Sequence, residues 1–432
     1  MATPNFEIFS KVERGPPDAV FGIVDQFNKA TAAWKALPPD HPEAGPDHKP
    51  ISLVVGAYRD ENGKPWVLPT VRQIEKEMAE SPALDHEYLK ITGLPEFLPA
   101  AQKLMFGVKD ETIASAQVLS GTGALYVGFS FLHKHLGCTT LMIPDPTWPN
   151  HPNVAAAAGI SVTKYPYYDR KTNSVLFDQM YDAISKAETN TIILMHPCAH
   201  NPTGMDLTMD QWEKLASLFQ SRAATSPLIP FFDCAYQGYA SGDLELDAAA
   251  VRHFLALGLP IIVAQSFSKT MGLYGERCGC LHLKCTSKDI ATNVTSQLSS
   301  FIRATYSNPP GHGARIATAL LTDETKYKSW LNDLKTMTDR LKSMRTALRE
   351  GIEKAQAELP EAPKERKWDH ITTQRGMFSF TGLTPQECKY LSEKHHIFLT
   401  GNGRVSIAGL NPSNVERVSR AIVDAVIHAP KE

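Results

Sequence analysis

The chain has 432 residues, enough for one large two-lobed catalytic subunit or two to three ordinary domains. Its 44 Lys and Arg against 46 Asp and Glu leave a net charge of −2, so no overall field draws it to nucleic acid or to an anionic membrane. Hydrophobic residues at 43%, with 27 glycines beside them, match a globular composition and exclude disorder and fibres.

Seven cysteines are an odd number in a long chain, which argues against a secreted disulfide framework and for reduced thiols inside a cell. The longest apolar runs, at 191–195 and 259–264, fall far short of the ~20 residues a membrane helix needs, so a soluble protein is expected. Within the first thirty residues Lys11, Arg14 and Lys29 are balanced by Glu7, Glu13, Asp18 and Asp25, with no apolar signal core. A cytoplasmic address is expected, unless the sequence is a processed mature form such as a mitochondrial one.

In chain order, residues 1–65 read as an arm and lead-in. Pro16-Pro17 can open a helix over 18–36, and Pro38, Pro39, Pro42, Pro46 and Pro50 then forbid regular structure up to Ile51. From about 110 to 285, short apolar β-rich runs at 140–143, 192–195, 228–232 and 261–267 alternate with helical stretches such as 209–222. That alternation predicts a mainly parallel sheet covered on both faces. Over 323–359, Trp330, Leu334, Met337, Leu341, Met344, Leu348 and Ile352 recur at three- and four-residue spacing, which predicts one long helix with a single apolar stripe. After Pro360 and Pro363 comes a smaller α/β portion, with strands at 376–380 and 403–408 and a helix from Pro385.

Ligands of open parallel sheets bind beyond the carboxyl ends of the strands. Four apolar runs end in polar chemistry: Trp148, Asn150 and His151; His196, His200 and Asn201; Asp233 and Tyr236; Ser266, Ser268, Lys269 and Arg277. One polar residue at a strand end is an ordinary loop or cap; four sets on one edge favour an active site. Ser120-Gly121-Thr122-Gly123-Ala124-Leu125 leads small residues into a helix, whose free amides and dipole suit a phosphate. A dinucleotide fingerprint is excluded by Tyr126 where Gly or Ala is needed, and a P-loop by the absence of Gly before Lys269. A monophosphate cup or an ordinary helix cap remain.

Lys269, just beyond an apolar strand, is the sharpest residue. Desolvation there disfavours the ammonium and makes the amine nucleophilic, whereas a lysine snorkelling from a surface loop keeps its charge. Ser266-x-x-Lys269 with Tyr306-x-Asn308 matches part of a serine acyl-enzyme signature, but no Lys-Thr-Gly triplet completes it. Cys278-x-Cys280-x-His282-x2-Cys285 lacks the paired spacing of a zinc site and reads instead as a strand, so no metal is expected.

Taken together, Ser120 to Leu125, Thr147-Trp148-Pro149-Asn150-His151, His200-Asn201-Pro202-Thr203-Gly204, Asp233-x-Ala235-Tyr236-Gln237-Gly238 and Ser266-x-Ser268-Lys269 resemble the aspartate aminotransferase family of pyridoxal-phosphate enzymes. His86-Glu87-Tyr88-Leu89, Tyr306-Ser307-Asn308-Pro309-Pro310, Gly376-Met377-Phe378-Ser379-Phe380 and Gly403-Arg404 fit the same order, so the resemblance runs from Phe6 to the last helix. It implies an α/β fold of fold type I, with a seven-stranded, mainly parallel sheet flanked by helices and a smaller α/β domain joined by the long helix. The implied domains are an arm at 1–15, a small mobile domain at 16–65 and 336–432, and a large cofactor domain at 66–335.

The resemblance also assigns roles. Lys269 would bond covalently to pyridoxal 5'-phosphate and carry the proton at the substrate's Cα. Asp233 would pair with the pyridinium nitrogen, Tyr236 and Asn201 would reach the ring's 3′ oxygen, and Trp148 would stack on the ring. Ser120, Gly121, Thr122, Ser266, Ser268 and Arg277 would surround the phosphate, with Tyr88 entering from a second subunit of a homodimer. Arg404, supported by the backbone at Gly56, would grip the substrate α-carboxylate, and Arg303 of the other subunit the side-chain carboxylate, while Trp148 and Asn201 also border the substrate. Guanidinium forks suit carboxylates. The implied reaction is ping-pong transamination of L-aspartate and 2-oxoglutarate to oxaloacetate and L-glutamate. Thr270-Met271 and Gly275 depart from residues more usual after the lysine, and Cys234 stands beside Asp233; they leave open a broader aspartate and aromatic specificity. A catalytically silent interaction protein on the same scaffold is the remaining alternative.

Overall fold

The computed structural model describes residues 8–15 and 20–430. Part of the expected arm (residues 1–7) and the expected helix start at 18–19 lie outside the described residues; α1 spans Phe21–Lys35. The proline-rich stretch that follows carries only a short 3-10 turn at Pro46–His48.

Seven strands form the central sheet: β1 (Ile113–Leu119), β2 (Thr140–Asp145), β3 (Ser161–Pro166), β4 (Ile192–Met195), β5 (Ile229–Cys234), β6 (Ile262–Ser266) and β7 (Cys278–Lys284), in the order β1-β7-β6-β5-β4-β2-β3. All neighbours are parallel except β7, which runs antiparallel to both β1 and β6. Burial on both faces explains the unbroken apolar runs: in β4, Ile193 and Met195 enter one core cluster while Ile192 and Leu194 enter the cluster on the opposite face. The run at 278–285 is a strand, and His282 on it is hydrogen-bonded through Nδ1 to Ser115 Oγ (2.8 Å) and through Nε2 to Gln265 Oε1 (3.0 Å).

Helix boundaries follow local chemistry. After α2 (Ser120–Leu136), helix α3 (Met209–Arg222) begins at a capping box, in which Thr208 and Gln211 each accept the other's backbone N–H. Helix α4 covers Lys288–Thr305. The long helix α5 (Glu324–Glu358) starts where the Asp323 carboxylate accepts the amides of Thr325 and Lys326, and it stops short of Pro360. All seven residues of its expected apolar stripe are buried. At about 1.5–3 kcal/mol each they supply on the order of 10–20 kcal/mol of burial, an upper bound because unfolded chains already bury some surface. One of them, Trp330, donates Nε1–H to the carbonyl of Thr270 at 2.9 Å, fastening α5 to the residue after Lys269.

In the C-terminal portion, β8 (Phe378–Phe380) pairs antiparallel with β9 (Arg404–Ser406), flanked by α6 (Pro385–His395) and α7 (Val415–His428). Both strands are shorter than expected: Gly376 has φ +81, which breaks extension before β8, and Ile407–Gly409 turns into a 3-10 helix. Ile51–Ser52 pairs in parallel with Ile397–Phe398, joining the start of the chain to its end.

Candidate active site

The carboxyl ends of β2, β4, β5 and β6, together with the start of α2, face one pocket. It is lined by Ser120, Gly121, Thr122, Trp148, His196, Asn201, Asp233, Tyr236, Ser266, Ser268, Lys269 and Arg277, with Leu125 and Ala235 filling between them. The parallel run of β2, β4, β5 and β6 accounts for the convergence. Antiparallel β7 lets the connection from β6 return at once, so Lys269 and Arg277 reach the same edge.

The N-terminus of α2 has no side-chain cap, so the amides of its first turn are free of that competition. Ser120 is held at φ +61, and its Oγ lies 3.0 Å from Ser266 Oγ and 2.8 Å from Ser268 Oγ. A Cβ at Gly121 would stand 3.4 Å from the Cβ of Ser266, crowding the cup. Arg277 adds a guanidinium at its rim, with Nη1 donating to the Tyr274 carbonyl at 2.9 Å. Amides, hydroxyls and one cation around a small hollow fit a phosphate monoester.

Next to this cup Asp233 is buried, and its Oδ2 lies 3.0 Å from His151 Nε2. Burial alone raises a carboxyl's pKa. Here the His151 hydrogen bond and the neighbouring His196, His151 and Lys269 outweigh it and hold Asp233 below its ordinary value. His196 Nε2 is 3.7 Å from the same oxygen, and burial pushes its pKa down to about 4 against the pull of Asp233. His151, His196 and Asp233 bring potential metal-ligand atoms within 4.8 Å of one another. Both nitrogens of His151 are already engaged, Nδ1 with Thr147 Oγ1 at 2.8 Å, so metal ligation costs an existing hydrogen bond. A fixed anion better fits a cationic ring nitrogen.

Lys269 Nζ lies 5.5 Å over the Tyr236 ring. Desolvation lowers its pKa; Asp233 opposes the shift, and Arg277 and Arg404 reinforce it. Burial raises the pKa of the Tyr236 hydroxyl, with Arg404 opposing. Asn201 Oδ1 is buried without a hydrogen-bond partner, an acceptor available to a bound group. These features fit a phosphorylated pyridine aldehyde.

Arg404 is only 5% exposed. Its Nη2 donates to Val54 O at 3.1 Å, its Cζ lies 4.1 Å over the Phe378 ring, and its Nε has no partner. Gly56 lets Phe378 in: a Cβ there would stand 2.9 Å from Phe378 Cζ. Four expected residues are outside that lining: Arg404 and Gly56, whose surroundings are given above, and two exposed ones. Tyr88 is 86% exposed, and Arg303 is exposed at the end of α4, donating to Ser307 Oγ. Sequence reasoning gave no role to His151 and His196, although both stand in the polar sets beyond their strands; only the fold reveals that both face Asp233.

The sequence profile of the aminotransferase class I and II family matches residues 48–422. Over 424 residues the chain is 42% identical to the cytoplasmic aspartate aminotransferase of Oryza sativa subsp. japonica, covering 97% of this chain and 98% of the relative. The cytoplasmic aspartate aminotransferase of Saccharomyces cerevisiae superposes with a TM-score of 0.87 at 41% identity, covering 97% and 98% of the two chains. An aromatic-amino-acid aminotransferase from Burkholderia pseudomallei, solved covalently bound to pyridoxal phosphate, superposes at 0.88 with 39% identity, covering 97% and 99%. A match of this extent, joined to a phosphate cup, a fixed carboxylate and a desolvated lysine in one pocket, places the chain in the class I and II aminotransferase family of pyridoxal-phosphate enzymes.

Proposed function

We propose that the protein transfers the amino group of L-aspartate to 2-oxoglutarate, giving oxaloacetate and L-glutamate in a ping-pong cycle. The observation that carries this reading is that Lys269 and Asp233 line one pocket with Ser120, Ser266, Ser268 and Arg277, and that the charges of Asp233 and Arg404 both act on Lys269 there. Ser120, Gly121, Thr122, Ser266, Ser268 and Arg277 would hold the cofactor phosphate, with Trp148, Asn201, Asp233 and Tyr236 around the ring. Bound there, pyridoxal phosphate supplies an electron sink for the negative charge that develops at the substrate's Cα.

The protein's own groups do the rest. Lys269, with its ammonium disfavoured by desolvation, takes the Cα proton as a neutral amine and returns it as an ammonium. Asp233, kept anionic by His151, holds a ring nitrogen in its protonated form. Arg404 orients the α-carboxylate, itself held by its contact with the Phe378 ring and its hydrogen bond to the Val54 carbonyl. The exposed Tyr88 and Arg303 would serve the pocket of a second copy, Tyr88 at the phosphate and Arg303 at the side-chain carboxylate, in a homodimer with shared sites. A cytoplasmic location accords with the rice and yeast relatives.

A second reading, added activity on aromatic amino acids, draws on the similarity to the Burkholderia enzyme and on the exposure of Arg303. The test is a donor panel with 2-oxoglutarate as acceptor, on wild type and Arg303→Asp. Aspartate turnover should fall and cationic donors gain in the variant. Unchanged aspartate turnover would remove Arg303 from its role. A colourless protein that takes up no cofactor and gives no half-reaction with glutamate would sink the whole reading.

A further inference from the structure

Away from the pocket at the strand ends, a cavity of about 580 Å³ opens between three parts of the chain. The segment after Tyr236 supplies Tyr239 to Ser241, helix α5 supplies Thr338 to Thr346, and the segment leading into β8 supplies Thr372 to Gly376. Its size is that of a small-molecule site. Its charge is one-sided: Lys342, Arg345 and Arg375 line it, and no aspartate or glutamate does.

Arg345 is the informative member. It is 4% exposed, and burial pushes its pKa down to about 9. Its guanidinium donates to three carbonyls, those of Ile371 (2.9 Å), Gly376 (3.0 Å) and Phe378 (2.5 Å). Carbonyls satisfy its N–H groups but do not neutralise its charge, and among the described residues no carboxylate lies within ion-pair distance of Arg345, Lys342 or Arg375. Lys342 is tethered only to the Ser241 carbonyl (2.8 Å), and Arg375 feels Asp206 at longer range. The hydroxyl of Tyr239, a residue 1% exposed that also lines the cavity, has no hydrogen-bond partner. Leaving a buried cation without a counter-charge is costly, and a small anion in this cavity would remove that cost.

We propose that this cavity is a second anion site, distinct from the cofactor cup and from Arg404, which takes a small polyvalent oxyanion such as inorganic phosphate or a tricarboxylate. Lys342 and Arg375 grip it from the rim, Arg345 supplies charge from the wall, and the exposed Thr346 adds a hydroxyl. The anion bridges the segment that follows Asp233 and Tyr236 to the segment that precedes Phe378, so it ties together the two arms of the active site.

The test uses cofactor-saturated protein, titrated calorimetrically at low ionic strength with inorganic phosphate and, separately, with citrate. One saturable site per subunit is expected for at least one of the two, and the tighter of them identifies the source. That site should persist in Arg404→Ala. It should weaken tenfold or more in Lys342→Gln/Arg375→Gln, whose side chains are exposed and whose aspartate turnover without added anion should equal wild type. Thr346→Glu, which puts a carboxylate at the same wall, should abolish it. Saturable binding of neither probe, binding lost with Arg404→Ala, or binding unchanged in both cavity variants overturns the proposal.

Discussion

The guanidinium of Arg404 lies over Phe378, with its Cζ 4.1 Å from the ring centroid. Phe378 is thus a platform beneath the guanidinium that, in the proposed reaction, would meet the substrate α-carboxylate. A cation over an aromatic face gains about 0.5–2 kcal/mol. Phe378→Leu should therefore raise the KM for aspartate by roughly 2- to 30-fold while lowering kcat much less. Steady-state kinetics with Phe378→Tyr as the conservative control checks this; an unchanged KM in Phe378→Leu removes the platform role.

Asp233 stays charged because the hydrogen bond from His151 and nearby positive charge overcome its burial. Asp233→Asn keeps the shape and loses the charge. A charge-assisted hydrogen bond of about 1.5–3 kcal/mol, absent at the rate-limiting barrier, corresponds to a kcat loss of roughly 10- to 150-fold. Single-turnover absorbance after glutamate addition measures it, and near-wild-type rates would contradict the assignment.

Buried histidines predict a pH dependence of stability. Burial lowers His196 to about 4 and His282 to about 3, below the ordinary value of 6.5. Below pH ~6.5 the unfolded chain binds protons at these sites and the folded chain does not, so stability falls as pH drops from 6.5 toward 4. Denaturant melts at pH 7, 5.5 and 4.5 should show this decline. In His282→Gln, where one such group is gone, the slope should be shallower; equal slopes would rule His282 out as a contributor.

Trp330 couples the long helix to the residue after Lys269 through its 2.9 Å bond to Thr270 O. Trp330→Phe should cost about 1–3 kcal/mol, chiefly the unsatisfied carbonyl, and Trp330→Ala about 3–5 kcal/mol. Urea midpoints test the order. The Phe variant is also expected to shift the absorption pH profile of the bound cofactor, a readout that a purely packing role would leave in place.

Much of this was legible in the sequence because the physics is local. The stripe from Trp330 to Ile352 announces its helix through spacing alone, and the run at 192–195 announces a strand buried on both faces. The residues at the strand ends can be gathered from one topological rule, and the motifs imply roles for Trp148, Asn201, Asp233, Tyr236, Ser266, Ser268, Lys269 and Arg277 but not for His151 or His196. What stayed hidden depends on distant parts of the chain. Strand β1 carries no such signal, since the run Ile-Ala-Ser-Ala-Gln-Val-Leu is weakly patterned and becomes a strand by pairing with β7. The contact of His151 with Asp233 joins residues 82 positions apart, which no local pattern encodes. The cavity around Arg345 draws on three separated segments, and only the fold brings its charges together.

The antiparallel insertion of β7 has a consequence for how the protein is made. In the sheet, β1 has only β7 as a neighbour, and Leu119 is paired with Cys278, 159 positions later. At about 5–20 residues per second on the ribosome, the edge of β1 waits roughly ten to thirty seconds for its partner. An unpaired strand edge invites mispairing throughout that interval. Ser120 meets Ser266 and Ser268 only when the same stretch emerges, so the hydroxyl cup proposed to hold the cofactor phosphate is incomplete until nearly two thirds of the chain has been synthesised.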